Sequence, residues 1–148
     1  VTLEDCTFTD NTAVTYGGHV YVRTSASFSV SNTTFTGGTA TRGGAIFLPP
    51  GTSTLDDVTI TDVATSQLGA LNVNPTSSVT ITGGSFLRNT TGNTHGAAVW
   101  VDGSATFVGV GSGVVGRDCR AQTALGRRCV AFIKGYIMRG DDRSVAGG

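Results

Sequence analysis

Apolar residues recur along the chain at intervals close to 26 positions, and polar residues fill the places beside them. Three sets of apolar positions, here called columns, keep this interval. In the third column another apolar residue follows two places later, and a spacing of two is the period of a β-strand with one face buried. The columns are Leu3, Val30, Leu55, Ile81 and Phe107; Phe8, Phe35, Ile60 and Phe86; and Val20, Ile46, Leu71 and Val99.

The repeated unit reads as a short strand, a turn and a second strand. One unit cannot bury its apolar side alone, whereas stacked units can, with each strand pairing in parallel with its copy in the next coil. The pattern therefore predicts an all-β fold, a single-stranded parallel β-helix with coils of about 26 residues. Residues 1–108 make about four coils, and residues 109–148 are expected to form an irregular, basic C-terminal coil or cap.

Small residues mark the predicted corners between strands. Asn11 and Asn89 follow Phe8 and Phe86 by three places, where an asparagine can hydrogen-bond to the turn backbone. Cys6 falls at an inward position, where a small buried residue is expected. Glycines precede the third column and are interpreted as structural corners, because glycine lacks the Cβ that would clash there and tolerates positive φ. They are Gly17, Gly18, Gly43, Gly44, Gly69 and Gly96.

Two motifs recur in register and carry a resemblance. "FTDN" at 8–11 and "FLRN" at 86–89 alternate with "GGAI" at 43–46, relaxed to "GGHV" at 17–20 and "GAAV" at 96–99. Together they resemble the repeat of chlamydial polymorphic outer membrane proteins and, more broadly, pectin-lyase-like β-helix repeats of large surface and secreted proteins. The pattern departs at Gly38, where asparagine is missing, and at "ITDV" in the third coil.

The resemblance covers residues 1–108 and carries no catalytic residues over. It implies a right-handed β-helix, an extracellular or cell-surface location, and an adhesin-like or structural role without catalysis. Partners would be a carbohydrate or a cell-surface protein. A polysaccharide-active β-helix enzyme, similar to a pectate lyase or polygalacturonase, is the alternative hypothesis.

Charge adds little to this prediction. The formal net charge is zero and only 14% of residues are charged, so no nucleic acid or anionic membrane would be recruited by the chain as a whole. The chain begins at Val1 without a leader and reads as a fragment of a longer protein, whose other parts would provide any membrane attachment. Basic residues are concentrated late in the chain, at Arg117, Arg120, Arg127, Arg128, Lys134, Arg139 and Arg143.

The enzyme hypothesis rests on Asp56, Asp57, His95 and Lys134, which follow one another in the order used for acid–base cleavage of a glycosidic bond. Asp57 and His95 are 38 residues apart, about one and a half coils, which favours solvated charges instead. The remaining carboxylates are scattered through turns and give no calcium cluster. We therefore expect no catalytic residue, no metal site and no cofactor.

Threonines flank the second column and suggest another alternative. Two parallel rows of threonine on a flat sheet are typical of ice-binding β-helices, although threonine also suits any exposed strand position. The fourth coil breaks the rows with Leu87. The residues of this possible surface ladder are Thr7, Thr9, Thr34, Thr36, Thr59 and Thr61.

Two kinds of covalent modification are suggested by short motifs. Asn32-Thr33-Thr34 and Asn89-Thr90-Thr91 match the acceptor pattern for N-glycosylation, and chance matches are equally expected in a chain this rich in threonine. Cys119 and Cys129 could form a disulfide in an oxidising compartment, or remain unrelated thiols.

Overall fold

The computed structural model describes residues 1–23, 27–48, 50–92, 96–108 and 132–133, the last pair by its backbone alone. These residues form short β-strands and no helix. The strands are β1 (Thr2–Glu4), β2 (Thr7–Thr9), β3 (Val20–Tyr21), β4 (Phe28–Ser31), β5 (Thr34–Thr36), β6 (Thr39–Arg42), β7 (Ile46–Leu48), β8 (Gly51–Asp56), β9 (Thr59–Thr61), β10 (Ala64–Leu68), β11 (Leu71–Val73), β12 (Ser77–Thr82), β13 (Ser85–Leu87), β14 (Thr90–Thr91), β15 (Val99–Val101), β16 (Ser104–Val108) and β17 (Phe132–Ile133).

The strands stack into four parallel sheets. Sheet 1 contains β1, β4, β8, β12 and β16, and sheet 2 contains β2, β5, β9 and β13. Sheet 3 contains β6, β10 and β14, and sheet 4 contains β3, β7, β11, β15 and β17. Coil 1 runs from β1 to β3, coil 2 from β4 to β7, coil 3 from β8 to β11 and coil 4 from β12 to β15. The chain is thus a parallel β-solenoid of about four turns, each about 26 residues long, which confirms the predicted fold class. Right-handedness stays a prediction.

The strand registers align the residues of each sequence column. Leu3 pairs with Val30, Phe8 with Phe35 and Val20 with Ile46, and each column continues through the later coils. The side chains of coils 2 to 4 in these columns are buried, whereas those at the two ends of the columns are partly buried: Leu3, Phe8 and Val20 in coil 1 and Phe107 in β16. Each buried side chain of this kind stabilises the fold by about 1.5–3 kcal/mol, so like residues packed on like residues form one continuous core.

Two corners of each coil have a fixed length. Two residues separate sheet 1 from sheet 2, and two separate sheet 2 from sheet 3, in every coil. The first residue of each corner has φ between 45° and 65°, a left-handed conformation that aspartate, asparagine and glycine tolerate best. These residues are Asp5, Asn32, Asp57 and Gly83 at one corner, and Asp10, Gly37, Asp62 and Arg88 at the other.

The structure corrects the expected content of the coil. Complete coils contain four strands, not two, because the two-residue corners divide what reads in sequence as one long segment.

Beyond residue 108, β17 pairs in parallel with β15, Phe132 with Trp100 and Ile133 with Val101. The rest of the expected cap, with Cys119 and Cys129, lies outside the described residues. Among the residues that are described, no helix could span a membrane.

Candidate functional site

The glycine corners lie before sheet 4 and are tightly enclosed. Gly43 has φ of 60°, and Gly17 repeats this conformation in coil 1 with φ of 57°. Gly44 has ordinary backbone angles, but a Cβ on it would overlap the side chains of Val63 and Thr65 in coil 3. In coils 1 and 2 the first position therefore needs glycine for its conformation, and the second needs it for the close approach of the next coil. Coil 3 has Leu68 at the first position and coil 4 has Ala97 at the second, so neither requirement holds in every coil. The other corner glycines, Gly18, Gly69 and Gly96, are also buried.

Asn89 performs the expected corner role. Its side chain is 1% exposed. The Oδ1 atom accepts a hydrogen bond from the backbone N–H of Val63 at 3.0 Å, and the Nδ2 atom donates to the carbonyl oxygen of Ile60 at 3.0 Å. Both partners belong to coil 3, so this amide joins two coils. Because the amide is enclosed and bonded, the structure does not support Asn89 as a glycosylation acceptor.

Asn11 differs from Asn89, which corrects the expectation that both bond to backbone. Asn11 is exposed, and its Nδ2 atom lies 2.8 Å from Nδ1 of His19. The other ring nitrogen of His19 lies 3.0 Å from the carbonyl oxygen of Gly37 in coil 2. A Cβ on Gly38 would collide with the same ring. The missing asparagine at position 38 is thus explained, because glycine leaves room for the imidazole.

His19 lies at the N-terminal end of the solenoid, where the core is open. Its ring packs against Phe8 and Phe35, with centroid distances of 6.2 and 5.7 Å. A cavity of about 390 Å³ opens beside it, lined by apolar side chains that include Leu3 and Val20. Burial lowers the pKa of His19, while the bond to the Gly37 carbonyl and the charge of Asp10 act in the opposite direction.

The threonine ladder of sheet 2 is partly occupied by contacts within the protein. Its two rows are aligned as expected, with Thr7 and Thr9 exposed and the later members, Thr34, Thr36, Thr59 and Thr61, half-buried. Arg88 forms an ion pair with Asp62 and also donates to the hydroxyl of Thr61 at 3.1 Å. The hydrogen bonds from Arg88 lower the pKa of Asp62. Leu87 ends one of the rows.

A second set of hydroxyl groups lies on sheet 1, and the sequence analysis missed it. The residues immediately before the first apolar column point outward and align along all five strands. Two of them, Thr54 and Ser29, are hydrogen-bonded at 3.0 Å. The sequence could have revealed this column, because successive residues of a strand point to opposite faces and each of these hydroxyl residues is next to an inward residue of the first apolar column. The column is Thr2, Ser29, Thr54, Thr80 and Thr106.

Aromatic side chains cover part of the outer face of sheet 4. Tyr16 packs on Phe47 at a centroid distance of 4.4 Å, and Tyr21 lies 5.4 Å from Phe47. Asn72 pairs with Phe47 on one side and with Trp100 on the other. It is 1% exposed, and its Oδ1 atom has no hydrogen-bond partner.

The residues proposed for catalysis are not brought together in the described part of the chain. Asp56 and Asp57 are exposed on sheet 1 and at its corner, while His95 and Lys134 lie outside the described residues. In the ranges that the structure describes, no three His, Cys, Asp or Glu side chains are placed to hold a metal ion.

The other sequon and the remaining cysteine are accessible to different degrees. Asn32 is exposed at a left-handed corner, and its Nδ2 atom donates to the carboxylate of Asp5. Cys6 is half-buried in coil 1, and its Sγ atom donates to the carbonyl oxygen of Glu4 at 3.1 Å. Of the two sequon asparagines, Asn32 is thus the exposed one and Asn89 the buried one, and glycosylation stays a prediction.

Comparisons of the chain with protein-family models, with curated proteins and with solved structures give no match.

Proposed function

We propose that this chain is a non-catalytic β-helix segment of a cell-surface or secreted protein, acting as a rigid stalk and binding surface. The observation that carries the proposal is the continuity of the sheets. Sheet 1 runs through five strands in register, and its outward side chains are mainly small hydroxyl groups. A surface of this kind presents many hydrogen-bonding groups without strong charge, which suits a carbohydrate or a polar protein surface.

The rigidity of the segment follows from its hydrogen bonding. Each inner strand pairs on both sides, and side chains such as Asn89 link successive coils. Bending the rod would break several of these bonds at once. A stalk needs this property to hold a binding surface away from its point of attachment.

Binding is tested by retention of the fluorescently labelled chain on neutral and acidic polysaccharide arrays and on intact cells. The double variant Thr54→Lys, Thr80→Lys places two long charged side chains on the middle of sheet 1 and should abolish retention. Ser66→Lys, on the exposed part of sheet 3, is the matched control and should retain binding. Equal retention by both variants would contradict a role for sheet 1.

The absence of catalysis has a separate test. Incubation with polygalacturonate, with and without Ca²⁺, should give neither new reducing ends nor unsaturated products. Appearance of either product, and its loss on Asp57→Asn substitution, would replace this proposal with the polysaccharide-active enzyme hypothesis.

The hydroxyl column of sheet 1 also favours a second candidate, ice binding. Its neighbours are spaced about 4.8 Å apart along the solenoid, and alternate residues along a strand are about 6.6 Å apart. A regular grid of hydroxyl and methyl groups can order water in two dimensions. Thermal hysteresis of a concentrated solution that disappears in Thr54→Lys, Thr80→Lys would support it, and no hysteresis in the unmodified chain would exclude it.

A further inference from the structure

Two tyrosines stand on either side of the glycine corner of coil 1, and their rings are in contact. The centroids of Tyr16 and Tyr21 lie 5.5 Å apart, and the ring planes are tilted by 42°. Both rings also pack against Phe47 of coil 2, at centroid distances of 4.4 and 5.4 Å. The three distances describe a triangle, so Phe47 supports both tyrosines without separating them.

The backbone of the corner brings the two side chains to the same face. Tyr16 forms an isolated bridge to coil 2 just before the corner, and Tyr21 pairs with Phe47 just after it. Gly17, with φ of 57°, turns the chain between them. Because Tyr21 follows the inward residue Val20 in the same strand, its side chain points outward, where it meets the ring of Tyr16.

Coil 1 alone carries such a pair in the part of the chain that the structure describes. The residues of coil 2 in register with Tyr16 and Tyr21 are Arg42 and Phe47, and Asn72 follows Phe47 in coil 3. Among the described strands, β3 is the end strand of sheet 4 and pairs only with β7. Tyr21 is 45% exposed and Tyr16 is half-buried, so both rings can be reached from solvent and can adjust their positions.

Two phenols in contact can be joined by oxidation. A phenol that loses one electron and one proton becomes a phenoxyl radical, whose unpaired electron is shared with the ring carbons next to the one that bears oxygen. Two such radicals combine through these carbons. The hydrogen on each joined carbon leaves as a proton and each oxygen takes one up, which restores both phenols. In total two hydrogen atoms are lost, and a haem peroxidase uses them to reduce one hydrogen peroxide to two water molecules.

We propose that Tyr16 and Tyr21 are a modification site, at which hydrogen peroxide and a haem peroxidase form an intramolecular dityrosine cross-link between a Cε atom of each ring. Two directly bonded phenol rings have centroids a little closer than 5.5 Å and planes twisted by an angle similar to the one observed, so small side-chain rotations suffice. Contact within the chain favours this coupling over coupling between molecules, because no diffusional encounter is needed. A cell-surface or secreted protein meets such oxidants.

The cross-link closes a covalent ring around residues 16–21 and fixes the glycine corner of coil 1. Across this corner the amides of Gly18 and His19 donate to the carbonyl oxygens of Gly43 and Ala45 in coil 2. Separation of these groups then requires the covalent ring to deform. Hydrogen exchange of the two amides should therefore slow after oxidation.

The test treats the whole chain, at low protein concentration, with hydrogen peroxide and a catalytic amount of haem peroxidase. The expected product is a monomer that shows the blue fluorescence of dityrosine and has lost the mass of two hydrogen atoms. Trypsin should release residues 1–23 as one peptide, because Arg23 is the first basic residue of the chain. Fragment ions of this peptide should place the missing mass within residues 16–21.

Variants identify the two partners. Tyr16→Phe and Tyr21→Phe keep both rings but remove one phenol each, so either should abolish the product, while circular dichroism shows that the fold is kept. Tyr136→Phe, at the third tyrosine of the chain, is the control and should leave the product unchanged. An oxidised monomer without dityrosine, dityrosine found only in dimers, or dityrosine that persists in Tyr21→Phe would overturn the proposal. Binding through sheet 1 is measured separately and does not depend on these outcomes.

Discussion

Replacing Asn89 with alanine should destabilise the solenoid substantially. The substitution leaves two buried backbone groups without partners, the N–H of Val63 and the carbonyl oxygen of Ile60. Each unsatisfied buried group costs about 1–3 kcal/mol. Since a water molecule entering the gap would satisfy part of the loss, we expect a decrease of about 2–5 kcal/mol in the free energy of unfolding.

The chain contains a matched control for this substitution. Asn11 stands at the same corner of coil 1, but it is exposed and bonds to a side chain, so Asn11→Ala should change stability by less than about 0.5 kcal/mol. Urea unfolding can be followed by far-ultraviolet circular dichroism and by the fluorescence of Trp100, the single tryptophan. Two probes are needed because a solenoid can unfold coil by coil. Similar losses in both variants would refute the corner argument.

Three other results are expected. Gly43→Ala should lower the free energy of unfolding by about 1 kcal/mol or more in urea titrations, because its φ of 60° strains any residue with a Cβ. Expression in a eukaryotic secretion host should attach a glycan at Asn32 and not at Asn89, and mass spectrometry of Asn32→Gln would show its loss. Arg88→Gln should raise the pKa of Asp62 towards 3.8, so its carboxylate resonance would titrate at higher pH than in the unmodified chain; an unchanged midpoint would contradict the ion-pair assignment.

The fold class could be predicted from the sequence because stacking on like residues preserves the interval between apolar positions. Phe8, Phe35 and Phe86 show this directly, since each lies in a three-residue strand of sheet 2. The left-handed corners were missed, although Asp5, Asn32 and Asp57 stand at successive coil intervals and tolerate positive φ. Composition alone gave no reason to prefer that conformation over an ordinary turn.

The candidate sites were less predictable, because a side chain's role depends on what the neighbouring coil places beside it. Asn11 and Asn89 occupy equivalent positions, yet one faces His19 and the other faces backbone. Asn89 bonds to backbone groups of coil 3, the coil before its own, whereas Asn11 lies in the first described coil and bonds to His19 of the same coil. Gly38 leaves room for that imidazole. Such a contact has no signature in a single sequence.

The fixed corners between sheets 1, 2 and 3 have a consequence for how this chain can vary. Their length of two residues is the same in each coil, whereas the connection from sheet 3 to sheet 4 lengthens in coil 4, from Thr91 to Val99. Insertions and deletions between coils are thus confined to the connections that precede and follow sheet 4. A short peptide grafted between Thr91 and Val99 would emerge beside an undisturbed arc of three sheets, whereas one extra residue after Asp57 would reverse the facing of every side chain in the strand that follows. The chain can therefore accept inserted residues beside sheet 4, while the two-residue corners keep the spacing of sheets 1, 2 and 3 constant from coil to coil.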